Sequence, residues 1–292
     1  MSVPASRSSL HAMFFMALGI FGFAVLDALT KRLTEDYGTW QIIFLSRVVT
    51  TSLILAFVLQ SHRTIAVLRS SNIGTHIGRS LLVIATTWSF FECLRYIELA
   101  YAVAVAFAAP LFMTALSGPL LKEKVGWHRW SAVLVGFVGV IIALQPGADG
   151  ISYGAALALV AAAAYALLQL WLRPLAGRET SHNIIFYTTL FSGLIAMPWA
   201  LAEWRTPDTT GWLLFLAQGG TSTIAQMFII RAFRQGEASL LAPIEYTALI
   251  WVGLFGYIFW DEIPTIQVFI GAAIIIASAI YIAQREAKRK GG

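Results

Sequence analysis

Arg47 interrupts an apolar stretch that runs from about residue 40 to residue 60. At 1.5 Å per helical residue it would lie roughly 10 Å from the end of that stretch. A guanidinium at the centre of a membrane helix costs on the order of 2.5–3.5 kcal/mol on insertion scales, so it needs a partner, a wet cavity or a ligand. Asp27, in the preceding apolar run, is one candidate partner, and Lys31 follows it at i+4 on the same helix face. Two readings stay open: Arg47 or Asp27 meets a charged group of a small molecule, or the two form an ion pair that ties their helices together. Glu245 is a further charge inside an apolar run, just after Pro243. A proline frees a backbone carbonyl and allows a kink, a common feature of cavity walls. Pro110 offers the same in an earlier run. A carboxylate at Glu245 can exchange a proton or meet an ammonium group; the alternative is a carboxylate near the surface, paired with Arg231 or Arg234. Trp88, Tyr101, Tyr165, Gln169, Tyr187, Tyr246 and Trp251 also fall inside apolar runs. Aromatic walls with a few polar handles suit amphipathic solutes. Trp and Tyr gather at membrane interfaces too, where Trp40, Trp127, Trp130, Trp204 and Trp212 are expected.

Covalent and metal chemistry find little to work with. The five histidines, His11, His62, His76, His128 and His182, fall at run ends or between runs and share no tight motif. Cys93 is the one cysteine, so it makes no intrachain disulfide, and no metal-ligand spacing surrounds it. The sequence calls for no metal and no cofactor. It holds no Gly-x-x-x-x-Gly-Lys-Ser/Thr phosphate loop. A membrane enzyme needs a clustered constellation near one face, and a channel usually shows a filter motif or a charged ring; neither is visible. Glu92, Arg95 and Glu98 read as a local salt-bridge set, and His76 with Arg79 as anchors at the start of a span.

The elements that position these residues follow from composition. Of 292 residues, 58% are hydrophobic and only 12% charged, with a mean hydropathy of +0.75. A soluble domain carries about 25% charged residues, so lipid is the solvent this surface fits. The net charge of +5 does not indicate nucleic acid, because the basic residues sit in short loops between apolar runs. Each run needs about 20 residues to cross the hydrocarbon. Ten qualify: about 12–32, 40–60, 77–95, 99–121, 128–145, 152–172, 182–202, 211–232, 237–259 and 265–283. Asp36-Tyr37-Gly38, Pro146-Gly147-Ala148-Asp149-Gly150 and Pro207-Asp208 mark turns, and Lys122-Glu123-Lys124 and Asp261-Glu262 mark charged hairpin tips. The first run is read as a membrane helix rather than a cleaved signal peptide. With a cytoplasmic N-terminus, 15 of the 20 Lys and Arg fall inside. Only Lys31, Arg32, Arg95 and Arg205 fall outside, and Arg47 lies within a span. That asymmetry places both termini in the cytoplasm.

Ten spans divide into five and five, and an odd number per half inverts the second half. Gln41-Ile42-Ile43-Phe44 resembles Asn183-Ile184-Ile185-Phe186, an offset of 142 that sets Asp27 against Gln169 and Arg47 against Thr189. Near the end of each half, Lys122-Glu123 and Asp261-Glu262 stand 139 residues apart, which pairs Ala132 with Gly271 and Gly139 with Ser278. The fold class is an all-α integral membrane protein of ten transmembrane helices in two inverted five-helix repeats. Such repeats permit alternating access to a site near the bilayer midplane.

In the first half come Leu94-Arg95-Tyr96-Ile97-Glu98-Leu99-Ala100, Ala109-Pro110-Leu111-Phe112, Leu120-Leu121-Lys122-Glu123-Lys124 and Gly136-Phe137-Val138-Gly139-Val140. In the second come Ser239-Leu240-Leu241-Ala242-Pro243-Ile244-Glu245-Tyr246-Thr247, Asp261-Glu262-Ile263-Pro264 and Gly271-Ala272-Ala273-Ile274-Ile275. In order and spacing these resemble the EamA type of the drug/metabolite transporter superfamily, over nearly the whole chain. The resemblance implies one repeat over 12–145 and a second over 152–283. It also implies secondary transport of a small molecule across the bacterial inner membrane. Exporters of amino acids, neutral and aromatic ones included, are the nearest expectation, with riboflavin or S-adenosylmethionine as the alternative. Proton coupling through Asp27 or Glu245 and movement down the substrate gradient both stay open. The orientation gives a direct test: an epitope tag at either terminus is expected to react with antibody only after the inner membrane is permeabilised, and labelling without that step would overturn it.

Overall fold

A computed structural model describes residues 7–62, 68, 70, 72–121, 126–147, 150–172, 181–236 and 238–290. The expected hairpin tip at Lys122-Glu123-Lys124, and Arg63, Arg69, Arg173 and Arg178, lie outside the described residues. Their helices are α1 (Arg7–Asp36), α2 (Thr39–His62), α3 (Ile73–Cys93), α4 (Leu99–Ala106), α5 (Ala109–Leu121), α6 (Trp127–Leu144), α7 (Tyr153–Leu172), α8 (Ser181–Ala202), α9 (Thr209–Gln235), α10 (Ala238–Glu245), α11 (Ala248–Trp260) and α12 (Ile266–Lys290), with the other described residues in short irregular connections. Nine stretches of the described residues are long and apolar enough to cross a membrane by length and composition. The tenth span is α3, 21 residues long. His76, Arg79 and Glu92 make it less apolar, and it packs against α7 and α8 in the interior.

Twelve helices make ten spans because spans four and nine are each broken once, at Phe107-Ala108 and at Tyr246-Thr247. The offset of 139 carries one break onto the other. Their causes differ. Pro110 has no N–H for the carbonyl of Ala106, where α4 ends, and the chain restarts through short-range bonds from Ala108 N to Val105 O (3.0 Å) and from Leu111 N to Ala108 O (2.9 Å). Pro243 lies inside α10 and not at the break. There the Thr247 hydroxyl donates to Ile244 O (2.7 Å), and Thr247 N donates to the same carbonyl (3.0 Å), so a local turn replaces the helical ladder.

Alternate loops converge on one face. Gln41 Nε2 donates to Arg205 O (2.7 Å) and Arg205 N to Gln41 Oε1 (3.0 Å), joining the first turn of α2 to the α8–α9 connection. Tyr101 donates to Leu144 O (3.0 Å), and Gln145 to Thr265 Oγ1 (2.6 Å). Leu99 N donates to Glu262 Oε2 (2.9 Å). Five connections on a single face are what ten successive crossings require.

The halves interleave. Helix α1 lies against α9 and α3 against α7; α2 packs on α8 and α9, and α8 on α3. Helices α4 and α5 pack on α7, α10 and α11 on α1, α6 on α12, and α4 on α11. Exchanging the first five spans for the last five maps every one of these pairs onto the set. Side chains obey the same exchange. A Cβ at Gly193 would lie 3.2 Å from Arg47 Cβ, and Thr51 donates to Thr189 Oγ1 (2.9 Å); the offset of 142 converts one contact into the other. Small residues permit the close crossings, since lipid supplies no hydrophobic drive between helices. A Cβ at Gly271 would meet Gly139 O at 2.6 Å and Ala143 N at 2.7 Å. Backbone cannot move aside as a side chain can, so Gly271→Val is expected to destabilise the α6–α12 pair by about 1–3 kcal/mol. Nothing lies within 4 Å of a Cβ at Gly253, so Gly253→Ala should leave the melting temperature in detergent unchanged or higher.

Candidate functional site

At the face where the five connections meet, the charges are matched. Lys31, on α1, forms an ion pair with Glu262, with side chains 9% and 16% exposed, and its ammonium also donates to Ile97 O (3.1 Å). It stands 5.5 Å from the centre of the Trp260 ring, whose N–H donates to Glu35 (2.5 Å). Arg95 pairs with Glu92 (3.3 Å) and reaches across to Thr39 Oγ1 (3.1 Å) and to Tyr37 O. The local set expected of Glu92, Arg95 and Glu98 therefore forms only in part. The Glu98 carboxyl is pushed above the usual range by burial first and then by Glu262, with Lys31 opposing. A cleft of about 500 Å³ opens here beside Lys31, Glu35, Arg95, Trp260 and Glu262. A second, of about 530 Å³, is lined by Tyr101, Leu144, Gln145 and Thr265. Tyr101 thus belongs to this rim and not to a midplane cavity.

Below the rim the charges are not matched. Asp27 sits one turn from Lys31, but Lys31 is taken by Glu262. The expected Asp27–Arg47 ion pair does not form, and Asp27 has no hydrogen bond or ion pair among the described residues. It is half-buried, beside Ala24 and Ala28, which join a core cluster with Cys93, Leu99 and Val252. Arg47 donates from Nη2 to Thr87 Oγ1 (3.1 Å), while its Nε is buried with no acceptor. Gln169, which the repeat sets against Asp27, is half-buried.

Toward the terminus-bearing face lies a second group. Helix α3 starts at Ile73, four residues before the expected 77, so Arg79 stands nearly two turns inside it. It is no surface anchor. Its Nε donates to Thr188 Oγ1 (3.3 Å), and its Nη1 is buried without an acceptor. His76 is fully buried and stacks on Tyr187 at 4.9 Å. Tyr165 is within electrostatic reach of both Arg79 and Glu245. Its side chain is exposed, at 44%. Glu245 ends α10 at the break, and no ion pair to Arg231 or Arg234 forms among the described residues. Arg231 instead lies over the Phe15 ring at 4.5 Å.

The two helix breaks face each other, and Tyr246 meets Phe107 edge to face at 5.2 Å. Phe107 carried no signal in the sequence; the offset of 139 from Tyr246 would have found it. Trp88 and Trp251 have packing roles. Trp88 stacks on Trp40 (5.7 Å), which stacks on Trp199 (6.0 Å), so Trp40 is held in a stack rather than free at the interface. Trp251 meets Phe21 edge to face at 5.1 Å, tying α11 to α1.

Interleaved five-span halves, facing helix breaks and interior charges without counter-ions make this a multi-pass membrane transporter. The chain belongs to the EamA-like transporter family, whose profile matches twice, over residues 10–145 and 152–284. An S-adenosylmethionine uptake transporter of Rickettsia prowazekii is 25% identical over 284 residues, 97% of this chain and 96% of that one. A riboflavin transporter of Vibrio cholerae is 31% identical over 224 residues, 76% of this chain and 75% of that one. A pseudopaline exporter of Pseudomonas aeruginosa is 26% identical over 269 residues, 91% of this chain and 94% of that one. A solved crystal structure at 22% identity shares the fold, with a TM-score of 0.65 over 98% of this chain and 100% of its own. The family's members named here are transporters and not enzymes, and their named substrates, S-adenosylmethionine, riboflavin and pseudopaline, do not point specifically to the expected amino acids.

The pairing of Lys31 with Glu262 predicts strong energetic coupling. Removing one partner leaves a mostly desolvated charge, so Lys31→Met or Glu262→Leu alone should each cost about 1–3 kcal/mol in detergent melts. The double variant should lose clearly less than the sum. Simple additivity would show that the two charges do not depend on each other.

Proposed function

We propose that this protein exports small zwitterionic metabolites, amino acids foremost and neutral and aromatic ones among them, across the bacterial inner membrane. Both termini are cytoplasmic in this reading, and a cavity between the halves alternates between the two sides. One observation carries it: the interior holds opposite charges, Asp27 and Arg47, that do not neutralise each other. A buried charge with neither counter-ion nor metal is costly. A molecule bearing both an ammonium and a carboxylate would complete both sites at once. S-adenosylmethionine, the substrate named for the Rickettsia relatives, carries such an amino-acid end. The aromatic pair Phe107 and Tyr246 gives an apolar wall at the breaks.

Riboflavin transport is the second reading, favoured by the Vibrio relative and by that same pair, which suits a flat ring system. Coupling is to a proton on Asp27 or Glu245, or to the substrate gradient alone.

Purified protein in liposomes tests these readings with labelled threonine, methionine, lysine, phenylalanine, riboflavin and S-adenosylmethionine, each with and without a pH gradient. Saturable amino-acid uptake is expected, with Asp27→Asn and Arg47→Gln each lowering it about tenfold or more, the effect of losing a charge-assisted contact. Full activity in both variants, with intact folding, would end the assignment of these residues. Uptake of riboflavin alone would establish the second reading.

A further inference from the structure

Helices α2, α3 and α8 meet along a seam of hydroxyl groups that contains two guanidinium groups and, among the described residues, no carboxylate partner for either. Arg47 is met by Thr87 (3.1 Å), and its Cβ faces Gly193 of α8. Thr51 and Thr189 bond to each other (2.9 Å). Arg79 is met by Thr188 (3.3 Å), and Ser80 donates to Thr188 O (3.4 Å). Thr188 lies five residues before Gly193 on α8, so the two arginines occupy levels about 7–8 Å apart at 1.5 Å per residue. The Thr51–Thr189 pair falls between them.

Glu92, the acidic residue of α3, belongs to Arg95 at the opposite end of that helix. Hydroxyl oxygens satisfy single N–H groups but do not neutralise a cation. A guanidinium offers five donors in a fixed fork that matches an oxyanion. Arg47 Nε and Arg79 Nη1 are each left buried without an acceptor.

We propose that Arg79 is a second anion-binding station, on the terminus side of Arg47, and that the carboxylate or a comparable oxyanion of the substrate passes between the two arginines along the threonine seam. This deepens the transport reading above, because it requires the substrate to carry an anionic group. In that role Arg79 is a binding residue whose vacant donor the ligand fills, and Thr188 fixes its direction.

Phenylglyoxal reacts with guanidinium groups that solvent reaches, and mass spectrometry reads the product arginine by arginine. In the purified full chain, labelling of Arg79 is expected to slow several-fold with L-methionine, sodium benzoate or inorganic phosphate. L-methioninamide at matched ionic strength should not slow it. The exposed Arg205 should respond to none of them. In liposomes, Arg79→Gln should raise KM about tenfold with little change in kcat, as expected for loss of one charged hydrogen bond, and Arg79→Lys should recover part of it. Arg79 unlabelled in the folded protein, or labelled at a rate that no anion alters, would overturn the station. Protection by benzoate or phosphate without amino-acid uptake would keep it and sink the amino-acid reading. Amino-acid uptake with an indifferent Arg79 would do the reverse.

Discussion

Hydrocarbon offers no hydrogen-bond partner and no screening, so every polar group within a span must be satisfied by the protein or by what the protein carries. The helical ladder meets this demand for the backbone. Where the ladder stops, it stops twice, at Phe107-Ala108 and Tyr246-Thr247, and both breaks are turned toward the interior. Short-range backbone bonds and the Thr247 hydroxyl take up part of the freed hydrogen-bonding capacity. Irregular backbone at membrane depth is tolerated where protein buries it or a wet cavity borders it, and the breaks fit that rule.

The same constraint sorts the side chains. At the rim, where water is close, charges are matched generously: Lys31 with Glu262, Arg95 with Glu92, Arg32 with Glu35 and Asp36. In the interior, where matching is worth most, Asp27, Arg47, Arg79 and Glu245 have no ionic partner among the described residues. A fold that needed these charges only for stability would have paired them. Lys31 connects the two regions. It is one helical turn from Asp27 but spends its charge on Glu262, which leaves the Asp27 carboxyl without it.

Two interleaved halves do not make a symmetric site. The exchange that carries Arg47 onto Thr189 and Asp27 onto Gln169 preserves polarity and discards charge. The backbone arrangement is shared, as the paired contacts Arg47–Gly193 and Thr51–Thr189 show. The charges therefore lie on the first half's helices α1, α2 and α3, with Glu245 at the second half's break. Such an arrangement can repeat its shape in two orientations while holding a polar ligand in one.

The sequence by itself determined the ten spans, the division into five and five, the family and the set of interior charges. Each of these is written in local composition: apolar length, loop charge, and the type of residue that lipid tolerates least. It also showed Pro110 as a break, because the missing N–H is a property of one residue. What it could not show is partnership. Lys31 at i+4 from Asp27 looked like its neighbour, but Glu262 lies 231 residues away and wins because the α11–α12 connection folds onto α1. Arg79 looked like a surface anchor until the true start of α3 and the closeness of α8 placed it inside. Pro243 looked like the cause of a break that Thr247 makes. Contacts between distant spans depend on how helices cross, and crossing depends on small residues such as Gly139 and Gly271 meeting in space, which only the tertiary structure decides.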